Sequence, residues 1–290
     1  MIEEIGEISY GSKIANLKMW QVYVEGGERS IRDHRHINFE ISLVLEGSGI
    51  YRTISGDKPI NQGDVFVFPS NVPHCIINIE QNGLRLLNVQ FSKQILDNAT
   101  DLSEGFPYIF YNYSKNFNFK IKKENAAAIT ALLLNIRREL LDKNTAYSCA
   151  VTAAISEIFI ELIRNHGYFS HEENFSAGII RKLEKGIEYI NAHYTEDITL
   201  SEIAEKSNIT PNYFSKLFKE CLNMKLWDYV CAKRIEKAKK LLSENEDDLT
   251  VLDIANRCGF NNTANFNRSF KLYTGMTPSE FRKIKYENIV

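Results

Sequence analysis

The sequence predicts an α+β chain with an N-terminal β-barrel, a helical segment after it, and an all-α C-terminal domain. That last domain carries two helix-turn-helix motifs joined by a linker helix. Three observations predict this. Residues 10–91 fall into short β-branched and aromatic runs cut by glycine-rich breaks. From residue 124 onward apolar residues recur at three-and-four spacing. The final third of the chain repeats itself. The 290 residues suffice for about two domains. With 44% hydrophobic and 25% charged residues, the composition excludes a disordered chain, a collagen-like fibre and a small disulfide scaffold.

The expected strands are 17–24, 38–45, 50–54, 64–68, 74–79 and 84–91. The breaks between them fall at Gly26-Gly27, Gly47-Ser48-Gly49, Gly56-Asp57, Gly63-Asp64 and Asn82-Gly83. Two amphipathic helices follow. One, over 124–142, carries Ile129, Leu132, Leu133, Ile136, Leu140 and Leu141. The other, over 145–166, carries Val151, Ala154, Ile155, Ile158, Phe159, Leu162 and Ile163. Their apolar faces are expected to pair two chains into a homodimer. Gly167 closes the second helix, and the polar, aperiodic stretch after it reads as a linker. The expected divisions are 1–120 for the barrel, 121–167 for the helical segment, 168–180 for the linker and 181–290 for the helical domain.

Helix starts in that last domain are clearly marked. Thr199-Leu-Ser-Glu202 is a capping box, Thr210-Pro211 sets a cap before a first-turn proline, Thr250-Val-Leu-Asp253 resembles the box, and Thr277-Pro278-Ser279-Glu280 combines both signals. Ile203-Ala204 recurs as Ile254-Ala255. Phe214, Phe218-Lys219 and Met224 recur as Phe266, Phe270-Lys271 and Met276, and Gly259-Phe260 takes the place of Asn208-Ile209. Each copy reads as helix, tight turn, helix. The second helix turns Phe214, Leu217, Phe218 and Cys221 inward in the first copy, and Phe266, Phe270 and Tyr273 in the second. It turns Asn212, Ser215, Lys216 and Lys219, then Thr263, Asn267, Arg268 and Lys271 outward. The outward sets hold side chains able to bond base edges and phosphates. Between the copies, residues 226–242 form a helix of about 25 Å at 1.5 Å per residue. Its outer face reads as basic, with Lys233, Arg234, Lys237, Lys239 and Lys240. With a packed helix at each end it approaches the roughly 34 Å between successive major grooves.

Charge alone decides little. The chain carries 35 Lys+Arg against 37 Asp+Glu, a net of −2, with the residues from Arg181 onward slightly basic and the rest slightly acidic. The longest nearly apolar run, 126–135, is about half the roughly 20 residues a membrane helix requires. The acidic start has no signal-peptide pattern, so a cytoplasmic protein without membrane contact is expected. Five scattered cysteines, with no C-x-x-C pair, read as buried reduced thiols. No nucleophile elbow, P-loop or dinucleotide fingerprint is present.

Residues 185–285 resemble the DNA-binding domain of AraC-family bacterial transcription regulators. The resemblance rests on Pro211-Asn-Tyr-Phe-Ser-Lys-Leu-Phe-Lys219, Arg234-Ile-Glu-Lys-Ala-Lys239, Gly259-Phe260 and Thr274-Gly-Met-Thr-Pro-Ser-Glu-Phe-Arg282, together with the repeated Ile-Ala and Phe positions. It implies two recognition helices in successive major grooves of double-stranded DNA, with Asn212, Ser215, Lys216, Thr263, Asn267 and Arg268 as base readers. Asn223 departs from the family's usual glycine.

In the N-terminal part His34, His36 and Glu40 stand at even offsets, which share one face of an extended strand. With Gly63-x5-Pro69-x-Asn71-x-x-His74-x3-Asn78, this segment resembles the two motifs of the cupin barrel over residues 15–91, although Glu28 and Asn71 stand where cupins have glycines. In metal-binding cupins the positions of His34, His36, Glu40 and His74 are ligands, and such a set suits Fe, Mn, Ni, Cu or Zn. Without a metal, the same pocket is expected to bind an organic effector, with Trp20, Arg29, Arg35, Tyr51 and Phe66 as further lining residues. The resemblance implies a transcription regulator controlled by a small molecule, such as a sugar or its derivative, rather than an enzyme. RNA polymerase is a further partner, though no motif identifies the contact. The alternatives are a metal-dependent cupin enzyme, an oxygenase or sugar isomerase, and a direct metal sensor.

Overall fold

The computed structural model describes residues 2–9, 16–27, 34–92, 95, 118–168, 177–222, 224–243 and 249–287. Arg29, Glu28, Asn223 and most of the expected linker lie outside the described residues. The chain divides into two compact units. Residues 1–33 and 38–174 form one; residues 175–290, with the short segment 34–37, form the other.

The first unit is an antiparallel sheet with two helices. Its strands are β1 (Ile2–Ile8), β2 (Leu17–Val24), β3 (Phe39–Thr53), β4 (Gly56–Ile60), β5 (Val65–Phe68), β6 (His74–Phe91) and β7 (Lys120–Ile121). They pair in the order β1-β2-β6-β3-β5-β7, and β4 pairs with β3. Helices α1 (Ala127–Asp142) and α2 (Tyr147–Asn165) follow.

The sheet corrects the sequence reading at its glycines. The expected breaks at Gly47-Ser48-Gly49 and Asn82-Gly83 are not turns, because β3 and β6 run straight through them and stay paired. Register shifts at Val44/Glu46 and Gly47/Gly49 mark bulges there. A Cβ on Gly47, whose φ is +85°, would stand 1.9 Å from the Gly83 carbonyl oxygen. Glycine is therefore needed for close approach of two strands, and a strand bends where a turn was expected. Gly56-Asp57 likewise opens β4, after a two-residue turn at Ile54-Ser55. β1 was not expected. A register shift between Glu4 and Gly6 places its buried residues, Ile5 and Ile8, three apart, which hides the strand period.

Both faces of the β3–β6 ladder are covered. Phe39, Ile41 and Leu43 stand opposite Phe91, Val89 and Leu87, all buried. Phe159 of α2 lies 4.9 Å from Phe39 and 5.9 Å from Phe91 between ring centres, and Tyr168 lies 5.6 Å from Phe39. This face is the apolar core under the helices. Side chains alternate along a strand, so Glu40, Ser42, Asn88 and Gln90 must point the other way.

The second unit contains α3 (Ala177–His193), α4 (Leu200–Lys206), α5 (Pro211–Leu222), α6 (Leu226–Ser243), α7 (Val251–Arg257), α8 (Thr263–Thr274) and α9 (Pro278–Glu287). Both expected capping boxes form, with Thr199 and Thr250 each accepting from the backbone three residues on. Thr277 and Glu280 cap α9 in the same reciprocal way. Ile203, Ala204, Ile254 and Ala255 are fully buried. The turns match too: Asn208 and Gly259, at equivalent places, both have positive φ.

Hydrogen bonds from the Thr199 backbone and side chain hold the Glu202 carboxyl below its ordinary range. The Thr250 hydroxyl and backbone do the same to Asp253. A depressed carboxylate stabilises the fold above its unfolded pKa of about 4 and loses that contribution as pH falls through its lower folded value. The thermal midpoint of this unit is therefore expected to fall below about pH 4. The double variant Glu202→Gln, Asp253→Asn should lose less between pH 6 and pH 3; a parallel decline in both proteins would contradict this.

The thiols only partly match expectation. Cys75, Cys221 and Cys258 are buried, but Cys149 is exposed and Cys231 half-buried. An exposed helix surface at residue 149 and a partly open one at 231 leave those two in reach of solvent. Burial pushes the Cys221 and Cys258 thiols up to about 12.

Candidate functional site

Two places in the chain concentrate chemistry. The first is the outer face of the paired helices α5 and α8. Helix α5 buries Phe214, Leu217, Phe218 and Cys221 and exposes Asn212, Lys216 and Lys219, with Ser215 half-buried. Helix α8 buries Phe266, Phe270 and Tyr273 and exposes Asn267, Arg268 and Lys271, with Thr263 half-buried.

Sequence reasoning missed Asn262 and Asn265. The Asn262 side chain caps α8, accepting from the N–H groups of Ala264 and Asn265 at 2.8 and 3.1 Å. The Asn265 side chain accepts from Arg268 at 3.2 Å. These residues line an open recess of about 510 Å³ at the start of α8. The signal was legible, since asparagine is a preferred N-cap. Tyr213 is likewise exposed on α5.

The expected basic outer face of α6 is not an outer face. Lys233, Arg234, Lys237, Lys239 and Lys240 are all half-buried. Lys233 stands 6.0 Å from the Tyr229 ring centre, Lys239 pairs with Glu236 at 3.0 Å, and Arg234 and Lys237 reach backbone carbonyls. Other segments of the unit take up the donors of Arg234 and Lys237, while Lys233 and Lys239 meet Tyr229 and Glu236 of α6 itself.

The second place is the polar face of the sheet. His34, His36, Glu40 and His74 each offer a ligand atom, and these four atoms lie within 4.8 Å of one another. Glu40 is the second residue of β3, His74 opens β6, and the two histidines lie just ahead of β3. His36, Glu40 and His74 are buried, and His34 is half-buried. The segment 34–38 is not strand beyond a single bridge at His34, contrary to the sequence reading, yet its histidines still converge with Glu40.

Neighbouring groups orient the cluster. Nδ1 of His74 lies 2.9 Å from the Val72 carbonyl, which can only accept, so Nδ1 donates there and Nε2 is the nitrogen turned toward the cluster. That Nε2 lies 3.8 Å from Glu40 Oε1. Gln90 donates to the other Glu40 oxygen at 2.6 Å. The Phe68 ring stacks on His74 at 3.9 Å, tilted by 6°. Asn71, the cupin-motif departure, has φ 62°, so it adopts the conformation that glycine favours there.

Farther along the same face, the Ser42 hydroxyl donates to Asn88 and lies 3.4 Å from the Tyr51 hydroxyl. Tyr51 packs against Phe66 at 4.6 Å, and burial pushes its phenol up. Trp20 pairs across strands with Asn88 and is half-buried. Of the expected lining residues, Tyr51 and Phe66 thus join the inner face, Trp20 stands at its side strand, and Arg35 lies half-buried between the two histidines. Ser42, Asn88, Gln90 and Phe68 were missed, although the polar residues at even spacing inside apolar strands announced most of them.

Known proteins share both parts of this design. The AraC-like ligand binding domain family matches residues 22–163, and a helix-turn-helix domain family matches residues 203–284. The chain belongs to the AraC-type transcription regulators. Among its relatives, the Msm operon regulatory protein of Streptococcus mutans is 24% identical over 254 residues, covering 88% of this chain and 86% of that protein. The HTH-type regulator YobQ of Bacillus subtilis is 24% identical over 260 residues, covering 90% and 92%. Unsaturated-fatty-acid-bound ToxT from Vibrio cholerae has the same fold at a TM-score of 0.61, with 12% identity over 95% of this chain and 97% of that one. This AraC-type regulator therefore pairs a ligand-binding domain with a DNA-binding one. Among its described residues no helix is long and apolar enough to cross a membrane.

Proposed function

We propose that this regulator lays α5 and α8 in successive major grooves, under the control of a small polar molecule bound on the inner face of its sheet. Asn212, Ser215, Lys216, Thr263, Asn267 and Arg268 read bases, while Lys219 and Lys271 hold phosphates. The observation that supports this is the shared build of the two helices: each follows a positive-φ turn, buries an aromatic face and turns groove-reading side chains outward. Replacing Arg268 with alanine is expected to cost about 1–3 kcal/mol and to relax one base position. Lys219→Ala should weaken all sequences alike and lower the salt slope by about one. Fluorescence anisotropy across a salt series checks both, and a uniform loss for Arg268→Ala would contradict its role.

The Glu40, Gln90, Ser42, Asn88 and Tyr51 row alternates donors and acceptors beside aromatic rings, which suits a hydroxylated effector such as a sugar. The residues also suit a divalent transition metal. Two donors each about 2.1 Å from one ion lie at most about 4.2 Å apart, so the observed span closes with a shift of about half an ångström. His34, His36, Glu40 and His74 would hold the ion, which supplies a Lewis-acidic centre for an oxygen of the effector. Val72 and Gln90 orient two of its ligands. With the ion alone as effector, the same site is a metal sensor. Regulation rather than catalysis is the role assigned, because a catalyst has no use for two groove readers.

The apolar faces expected to pair two chains are instead buried within this one, at Ile129, Leu133, Ile136 and Leu140 of α1 and Ile155, Ile158 and Phe159 of α2; the exposed stripe of Ala127, Ala131, Leu134 and Leu141 on α1, with Ile160 on α2, suits pairing with a second chain in the cytoplasm. Pairing would raise DNA affinity through effective concentration, and exposed acidic residues remain for RNA polymerase. A thermal-shift panel of sugars and divalent metals, with and without chelator, tests the effector. A ligand at 100 times its dissociation constant adds about 2.7 kcal/mol; no shift with any of them would contradict both effector classes.

A further inference from the structure

Helix α6 does more than connect the two helix-turn-helix copies. Near its middle, Arg234 donates from Nε to the Tyr194 carbonyl at 2.6 Å and from Nη2 to the Glu196 carbonyl at 2.9 Å. Those carbonyls belong to the loop between α3 and α4, which leads into the first copy. The same guanidinium stands 5.8 Å from the ring centre of Phe260, in the turn of the second copy. One helical turn later, Lys237 donates to the Arg257 carbonyl at 2.9 Å, at the C-terminal end of α7. The turn of the second copy also meets the loop leading into the first directly. A Cβ built on Gly259, whose φ is +85°, would stand 2.6 Å from the Thr195 carbonyl oxygen and 2.9 Å from its carbon. Phe260 continues the contact inward, 5.1 Å from Phe266 of α8.

The two copies are therefore not beads on a rod. Loop 194–196, the 257–260 turn and the middle of α6 meet at one point, through a forked guanidinium, a lysine and backbone-to-backbone contact. A guanidinium presents its donors in a rigid planar fork, so two carbonyls on one loop and a ring from the other copy fix its plane. We propose that Arg234 and Gly259 are positioning residues that set the separation and angle of α5 and α8, and so determine which spacing between two base-pair blocks the protein accepts. This rests on the reading that both helices enter DNA. It adds that spacing selectivity comes from this joint rather than from any residue that touches a base.

The test uses the full-length chain. Its preferred sequence is selected from a randomised DNA pool, and affinity is then measured on that sequence and on a copy with two base pairs inserted between the blocks. The insertion rotates one block by roughly 70° about the duplex at 10–10.5 base pairs per turn. The wild type is expected to lose about 100-fold, as befits loss of half of a specific interface. Arg234→Met keeps the apolar stem but removes the fork. It should bind the selected sequence more weakly and lose less than about 10-fold on insertion, because a loosened joint follows the displaced block. Lys219→Ala serves as comparison, since losing a phosphate contact weakens both DNAs equally and leaves their ratio unchanged.

Should Arg234→Met fail to fold by circular dichroism, Lys237→Met, which removes one arm of the joint, is read the same way and should narrow the ratio less. A folded joint variant with the wild-type penalty overturns the proposal while leaving the DNA-reading assignment intact. A wild type that selects no two-block sequence overturns both.

Discussion

Replacing Phe270 with alanine is expected to destabilise the helical unit by about 3–5 kcal/mol, the usual range for truncating a fully buried phenylalanine. Phe270 is completely buried, with ring centres of Phe266 at 5.7 Å and Phe281 at 5.5 Å. Both ring partners are themselves held, Phe266 by Phe260 and Phe281 by the capped start of α9, which opposes collapse into the space. Urea unfolding followed by far-UV circular dichroism measures the loss. A change under about 1 kcal/mol would mean that α8 is not packed as described. The contrast with Arg268, two residues earlier and exposed, is informative. Its removal should leave stability within about 0.5 kcal/mol while weakening DNA binding. One helix thus separates folding from reading by face.

The second large effect is expected at His74. On the metal reading proposed above, His74→Ala should abolish retention of Mn, Fe, Ni, Cu or Zn, each tested alone by titration calorimetry. It deletes a histidine whose Nδ1 is held by the Val72 carbonyl, with Nε2 turned toward the cluster. Gln90→Leu keeps all four ligands and frees one Glu40 oxygen from its donor. It should weaken binding roughly 10–100-fold, as loss of an outer hydrogen-bond partner does. Equal behaviour of the two variants would argue that the cluster is a hydrogen-bonded network and not a metal seat.

The helical unit was legible from sequence because its signals are local. Thr199 with Glu202 and Thr250 with Asp253 fix helix starts within four residues, and the Phe spacings fix the buried face. The sheet was less legible because its decisive contacts are distant in sequence. Gly47 reads as a turn until Gly83, 36 residues away, is brought against it. The even spacing of Glu40 with Ser42 and of Asn88 with Gln90 went unread, because which face turns inward depends on Phe159 and Tyr168 packing on the other one. The α6 cations were misread for the same reason. Periodicity locates a helix face, whereas the carbonyls of Tyr194, Glu196 and Arg257 that occupy it arrive from elsewhere.

The most direct measurement is hydroxyl-radical footprinting of the full-length chain on the DNA it selects from a random pool. Two paired reading helices predict two protected stretches on one face of the duplex, centred about 10–10.5 base pairs apart. Each should be lost separately, one with Lys216→Ala and the other with Arg268→Ala. A single protected stretch, or two on opposite faces, would contradict the account.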